Sequence, residues 1–174
     1  LFLILCLFGP GHVKVERSID INASADLVKT KLGDYKFFHG SWSPWTEKDP
    51  GMKTTYTGEA GKEGHSIAWE SEKDEVGHGS MTYNGIHGDS VMHTLHFEGQ
   101  GDASIYHVVA ANDKGSKVTW VMENDVDFLF RGMMLFMNMD AMVGPDFEKG
   151  LNKLKSAIES LPAETSGANF DIHE

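Results

Sequence analysis

The sequence predicts a single α+β domain in which a curved antiparallel sheet of seven short strands wraps a long C-terminal helix. Three observations lead there. From about residue 52 to 125, short alternating apolar and polar runs are separated by Gly, Asn and Asp, the pattern of a meander. Residues 128–161 instead form one long apolar segment, in which Phe147, Leu151, Leu154, Ile158 and Leu161 recur at helical spacing. No composition shift or solenoid repeat divides the 174 residues, a length that suits one domain with a substantial core.

Each element has its own signal. Residues 1–8 are all apolar and precede Gly9-Pro10-Gly11, a strong break. Eight residues fall well short of the ~20 that span a bilayer as a helix. Since the chain begins with Leu, residues 1–10 are expected to be the end of a truncated membrane anchor or signal segment. Val13, Val15, Ile19 and Ile21 then read as a strand with a slip near Arg17. Ser24 caps a short helix ending near Leu32, with Asp26 in its first turn. A second short helix holds Tyr35, Phe37 and Phe38, and an aromatic loop, Trp42-Ser43-Pro44-Trp45, follows and is closed by Asp49-Pro50-Gly51. The remaining strands fall near 52–57, 65–71, 76–86, 89–97, 103–111 and 116–124. Five of the nine methionines crowd into residues 133–142. Gly144-Pro145 is expected to kink the helix or start a new one, because proline lacks a donor and clashes with the preceding turn. The ligand-binding domain is thus expected over 13–161, followed by a polar flexible tail at 162–174.

Composition excludes several classes of function. Fifteen basic against twenty-six acidic residues leave a net charge of -11, which repels a phosphate backbone, so nucleic acid is not an expected partner. Cys6 is the only cysteine, so neither an intrachain disulfide nor a cysteine-based zinc site is available. There is no phosphate-binding Gly-rich loop, nucleophile elbow, paired-His metalloprotease helix or dinucleotide fingerprint. No cofactor is expected. Binding, or acid/base work inside a pocket, remains.

One helix covers a seven-stranded twisted sheet only if the sheet curls around it, and the wide end then leaves an apolar space beneath the helix. That space is the candidate site.

The chain also resembles a known family. The resemblance is carried by Val15-Glu16-Arg17-Ser18-Ile19, Ala23 with Val28, Trp42-Ser43-Pro44-Trp45, Asp49-Pro50, Gly64 with Trp69, and Gly77-His78-Gly79. It continues through Lys117-Val118-Thr119-Trp120, Phe147-Glu148-Lys149-Gly150-Leu151 and Leu154-Lys155. In this order they are similar to the helix-grip fold of the START/birch-pollen-allergen (SRPBCC) superfamily, and within it to the polyketide cyclase/dehydrase and lipid-transport branch. The match spans about residues 13–160. It implies a fold and an apolar pocket but not a reaction, since the superfamily holds carriers, sensors and cyclases.

If Gly99-Gln100-Gly101 is a three-residue turn, direct pairing sets Phe97 against Ala103, Leu95 against Ile105, His93 against His107, and Val91 against Val109. The opposite face, with Met92, Thr94, His96, Tyr106, Val108 and Ala110, is nearly as apolar. The family resemblance favours the first face as the inward one, where relatives carry aromatic or aliphatic residues at the positions of His93 and His107. Trp69, Met81, Tyr83, Val118, Trp120 and Met122 fall on inward faces by strand phase, and Met134 and Met137 join the expected ligand-binding set from the methionine-rich run. His93, His107 and Tyr83 are the candidate acid/base groups. All of these residue types also fill ordinary cores. Two histidines alone are too few for a metal, so no metal is expected. Trp42 and Trp45 are expected to brace the loop.

Three functions fit. The first is binding of a small hydrophobic molecule, such as a lipid, polyketide or aromatic, between sheet and helix. The second is a cyclase/dehydrase that uses the pocket His and Tyr residues as acid and base. The third is a membrane-tethered protein-interaction module. The membrane enters only through the N-terminal segment, and the sequence does not set the oligomeric state or the side of the membrane.

Overall fold

The computed structural model describes residues 2–98 and 101–162. The expected tail therefore lies, from residue 163 onward, outside the described residues. A short helix α1 (Phe2–Cys6) precedes strand β1 (His12–Ile21), helices α2 (Ala25–Leu32) and α3 (Tyr35–Phe37), a π-helical turn at Phe38–Trp42, and helix α4 (Pro44–Lys48). Strands β2 (Lys53–Thr57), β3 (Ser66–Glu70), β4 (His78–His87), β5 (Ser90–Phe97), β6 (Gly101–Asn112) and β7 (Gly115–Asp125) follow, then helices α5 (Phe128–Met134) and α6 (Met139–Glu159). The seven strands form one antiparallel sheet in the order β1-β7-β6-β5-β4-β3-β2. Its concave face and α6 enclose the core, where Trp120, Phe147, Leu151 and Leu154 are fully buried. No helix among the described residues is long and apolar enough to cross a membrane.

Strand positions agree with the alternation, but the pairing of β5 with β6 differs from expectation. Phe97 faces Gly101, Leu95 faces Ala103 and His93 faces Ile105, two positions away from the expected register. Gly101 serves as a strand residue rather than a turn residue. A two-residue slip keeps every side chain on its face, so the alternation could not choose between the registers.

The aromatic loop is a helix. Ser43 accepts a hydrogen bond from Thr46 N at 3.3 Å and Pro44 occupies the first turn of α4, where its missing N–H is not needed. Strand β1 runs in unbroken register along β7, so there is no slip at Arg17. That side chain shares the inward face of Val15 and Ile19 and reaches α6. Its Nη1 and Nη2 donate to Asp140 at 2.7 and 2.9 Å, and its Nε donates to Glu148 at 2.7 Å.

No new helix starts at Pro145: α6 continues through it to Glu159. Proline there forfeits one backbone bond near the start of the helix, while Phe147, Leu151, Leu154 and Ile158 beyond it are buried, so packing outweighs the local cost. Arg17 also ties together Asp140, before the proline, and Glu148, after it. Its guanidinium lies against Gly144, where an added Cβ would collide with it. Arg17→Met is expected to lower the thermal midpoint and to speed amide exchange over residues 141–144 well before residues 151–158. Uniform exchange along α6 would show that the clamp does not hold the proline turn.

Gly150 sets how closely α6 approaches the sheet. A Cβ there would lie 2.7 Å from the Trp120 ring, and that ring is stacked on Phe147 with 4.1 Å between centroids. Gly150→Ala gains about 1 kcal/mol of helix propensity against an overpacking cost of roughly 1–3 kcal/mol. The expected result is a net loss of stability in chemical denaturation, larger for Gly150→Val.

Candidate functional site: a cavity beneath the closing helix

At one end of the sheet, where β4 and β6 begin and β5 and β7 end, α6 stands off and leaves a cavity of about 520 Å³. Leu95, Phe97, Ala103, Ile105 and Met122 form its sheet wall, while Met139, Met142, Val143 and Phe147 project from α6 and Trp45 comes from α4. The rim is polar. Lys48 and Asp146 pair there at 2.6 Å, and His78 lies 3.5 Å from Glu98. The cavity thus has an apolar interior with charge only at its edge.

The expected site residues divide into three groups. Leu95, Ile105 and Met122 line the cavity. Trp69, Met81, Tyr83, Val91, His93, His107, Val109, Val118 and Trp120 are buried core residues outside its lining. Met134 and Met137 do not reach it. They border a shallow depression on the outside of the molecule, beside Pro10, His12 and Lys14, because α5 ends at Met134 and α6 begins afresh at Met139. The expected single rod over 128–161 is therefore two helices with different faces.

Sequence reasoning missed Trp45, whose ring is parallel to Trp69 at 6.4 Å and edge-on to Trp120 at 6.3 Å. Ser43 followed by Pro44 was the available signal, since a capping serine with proline at the first helical position starts a helix and so aims Trp45 inward. Tyr35 and His65 were missed as well. The Tyr35 hydroxyl and His93 Nδ1 share a 2.9 Å hydrogen bond, and the Tyr35 ring stacks on His65 at 5.1 Å.

Behind the cavity wall lies a buried layer of nitrogen-bearing rings. His93 and His107 are not directly opposed, yet they meet diagonally with ring centroids 5.3 Å apart. Trp120 and Trp42 pack around His107 at 5.2 and 5.9 Å, and Tyr83 lies 5.8 Å from His93. His93 Nε2, both nitrogens of His107, and the indole nitrogens of Trp42 and Trp120 have no hydrogen-bond partner among the described residues. Burial holds His93 down at about 3. It also holds His107 well below its ordinary value, with a further contribution from neighbouring His93. Burial raises the Tyr35 hydroxyl far above the usual phenol range. Near neutral pH the cluster is uncharged. No group of three or more metal-ligating side chains gathers among the described residues.

Comparison with known proteins places this geometry. The family model described as polyketide cyclase / dehydrase and lipid transport matches residues 12–159. No curated protein matches the chain. Among solved structures, a protein of unknown function, SA2116 from Staphylococcus aureus, superposes with a TM-score of 0.62 at 15% identity, covering 85% of this chain and 94% of that one. Norcoclaurine synthase from Thalictrum flavum, in complex with dopamine and hydroxybenzaldehyde, gives 0.62 at 11% identity over 92% and 94% of the two chains. The di-domain ARO/CYC StfQ from the steffimycin biosynthetic pathway gives 0.59 at 10% identity over 85% of this chain and 51% of that one. At such identities these likenesses establish the fold, a helix grip with a seven-stranded open sheet closed by a long C-terminal helix.

Proposed function

We propose that this chain, which belongs to the polyketide cyclase / dehydrase and lipid transport family, binds one small hydrophobic molecule between its sheet and α6. The observation that carries this reading is the cavity itself. Its volume of about 520 Å³ falls within the ~300–1,000 Å³ typical of small-molecule sites. Apolar side chains surround the body of the guest, and the rim of Lys48, Asp146, His78 and Asn124 receives its polar end. A lipid, a polyketide or an aromatic molecule meets that description.

Binding without turnover is favoured over a cyclase/dehydrase. A general base works best with a pKa near the operating pH, whereas burial holds His93 at about 3 and lowers His107 strongly. Both lie outside the cavity lining.

Native mass spectrometry of the purified chain tests the reading, with the expected result a one-to-one adduct of a small apolar molecule. Ala103→Trp fills the space against β6 and is expected to weaken capture by at least about tenfold, while His107→Phe leaves it unchanged. An adduct lost in His107→Phe but kept in Ala103→Trp would move the site into the histidine layer.

A further inference from the structure

Large apolar side chains are exposed almost entirely in one region of the molecule, where α1 packs beside α5. Eleven of the twelve exposed ones among the described residues belong to α1 with the residues just after it, to α5 with the residues just after it, or to the first turn of α6; Ile86 is the exception. Leu7, Phe8 and Phe136 are 70%, 73% and 79% exposed. They are gathered on neighbouring segments rather than scattered singly, as exposed apolar side chains on an ordinary monomer are. The face is built rather than frayed. Cys6 is buried, its thiol donating to Leu129 O at 3.6 Å, Val126 N donates to Gly11 O at 2.9 Å, and Arg131 Nε donates to Val126 O at 3.0 Å. Helices α1 and α5 are thereby held side by side.

We infer that this face docks on a lipid bilayer, with the side chains of α1 and α5 entering the acyl region beside the cavity rim. Two observations select a bilayer over a second copy of the chain. First, the face runs into the site: Met142 is both an exposed member of it and part of the cavity wall, with Met139 and Val143 beside it. A guest insoluble in water then passes between membrane and cavity without crossing solvent. Second, charge disfavours self-association. Asp125 and Asp127 border the face and are exposed, and each copy carries a net charge of -11 that opposes its approach to another. The same acidity predicts insertion driven by apolar contact rather than by attraction to anionic headgroups.

The test is flotation of the full chain with phosphatidylcholine vesicles. The expected result is co-flotation at both low and high salt, undiminished when anionic lipid is omitted. Leu7→Asp with Phe136→Asp is expected to reduce the bound fraction at least about tenfold with an unchanged circular-dichroism melt, whereas Ile86→Asp leaves it intact. Failure to float, binding that requires anionic lipid and vanishes in salt, or a dimer dissolved by the same double substitution would each overturn the proposal. Ala103→Trp is expected to float normally, so loss of guest capture and loss of docking are read separately.

Discussion

Acidification from pH 7 to about pH 4.5 is expected to remove roughly 3 kcal/mol of folding stability through His93, with His107 acting in the same direction. In the folded chain both stay neutral, because burial holds His93 at about 3 and His107 well below 6.5. In the unfolded chain both take up protons below about 6.5. The unfolded state therefore binds more protons across this window. Stability is fully present above pH 6.5 and falls by about 1.4 kcal/mol per pH unit through His93 until about pH 3, with His107 adding to the loss. Set against typical totals of ~5–15 kcal/mol, that is a large share of a domain's stability. The ion-paired carboxylates act later: Glu47, held at about 2 by Lys149 and Lys153, loses its contribution as pH falls from the ordinary carboxylate value toward 2.

Urea midpoints measured from pH 7 to 4.5 check this. His107→Phe is expected to reduce the slope and to raise stability at pH 7, since it removes two buried nitrogens without partners and each such group costs about 1–3 kcal/mol. An unchanged slope would mean that His107 titrates normally and is not sealed in the core.

Trp120→Ala is expected to be the most damaging single substitution, with a loss of roughly 3–5 kcal/mol in chemical denaturation. The ring is 1% exposed, lies parallel on Phe147, and meets Trp42 and Trp45 edge-on at 5.4 and 6.3 Å. It therefore joins sheet, α4 and α6. Relief of its unpaired indole N–H works in the opposite direction by about 1–3 kcal/mol, which Trp120→Phe isolates. That variant keeps the stack, loses the polar atom and is expected to remain within about 1.5 kcal/mol of the parent. Equal losses in the two variants would show that the indole nitrogen, not the packing, is what the site depends on.

The strands were legible because a half-buried sheet imposes a period of two, and that period survives in β3, where Ile67 and Trp69 alternate with exposed Ala68 and Glu70. Pairing was less legible. Gly99-Gln100-Gly101 offers two glycines for one turn, and alternation is blind to an even slip. At Pro145 local chemistry favoured a break, but the outcome rested on Arg17, 128 positions away in sequence, and on four buried residues downstream. The cavity was legible through Leu95, Ile105 and Met122, whose phase follows from the strands. Trp45, Lys48 and Asp146 depend on how α4 and α6 meet, which no local pattern encodes. Residues 128–136 posed a different difficulty. A segment that is apolar nearly all round suits a buried core helix and a lipid-facing one alike, and its exposure becomes visible only once the fold is built.

The most direct measurement follows the methionine methyl resonances of guest-free protein as the guest recovered by native mass spectrometry is added back. The account predicts shifts at Met122, Met139 and Met142, which line the cavity, with Met133, Met134 and Met137 unmoved. Shifts confined to those outer methionines, or none at all, would contradict an interior site.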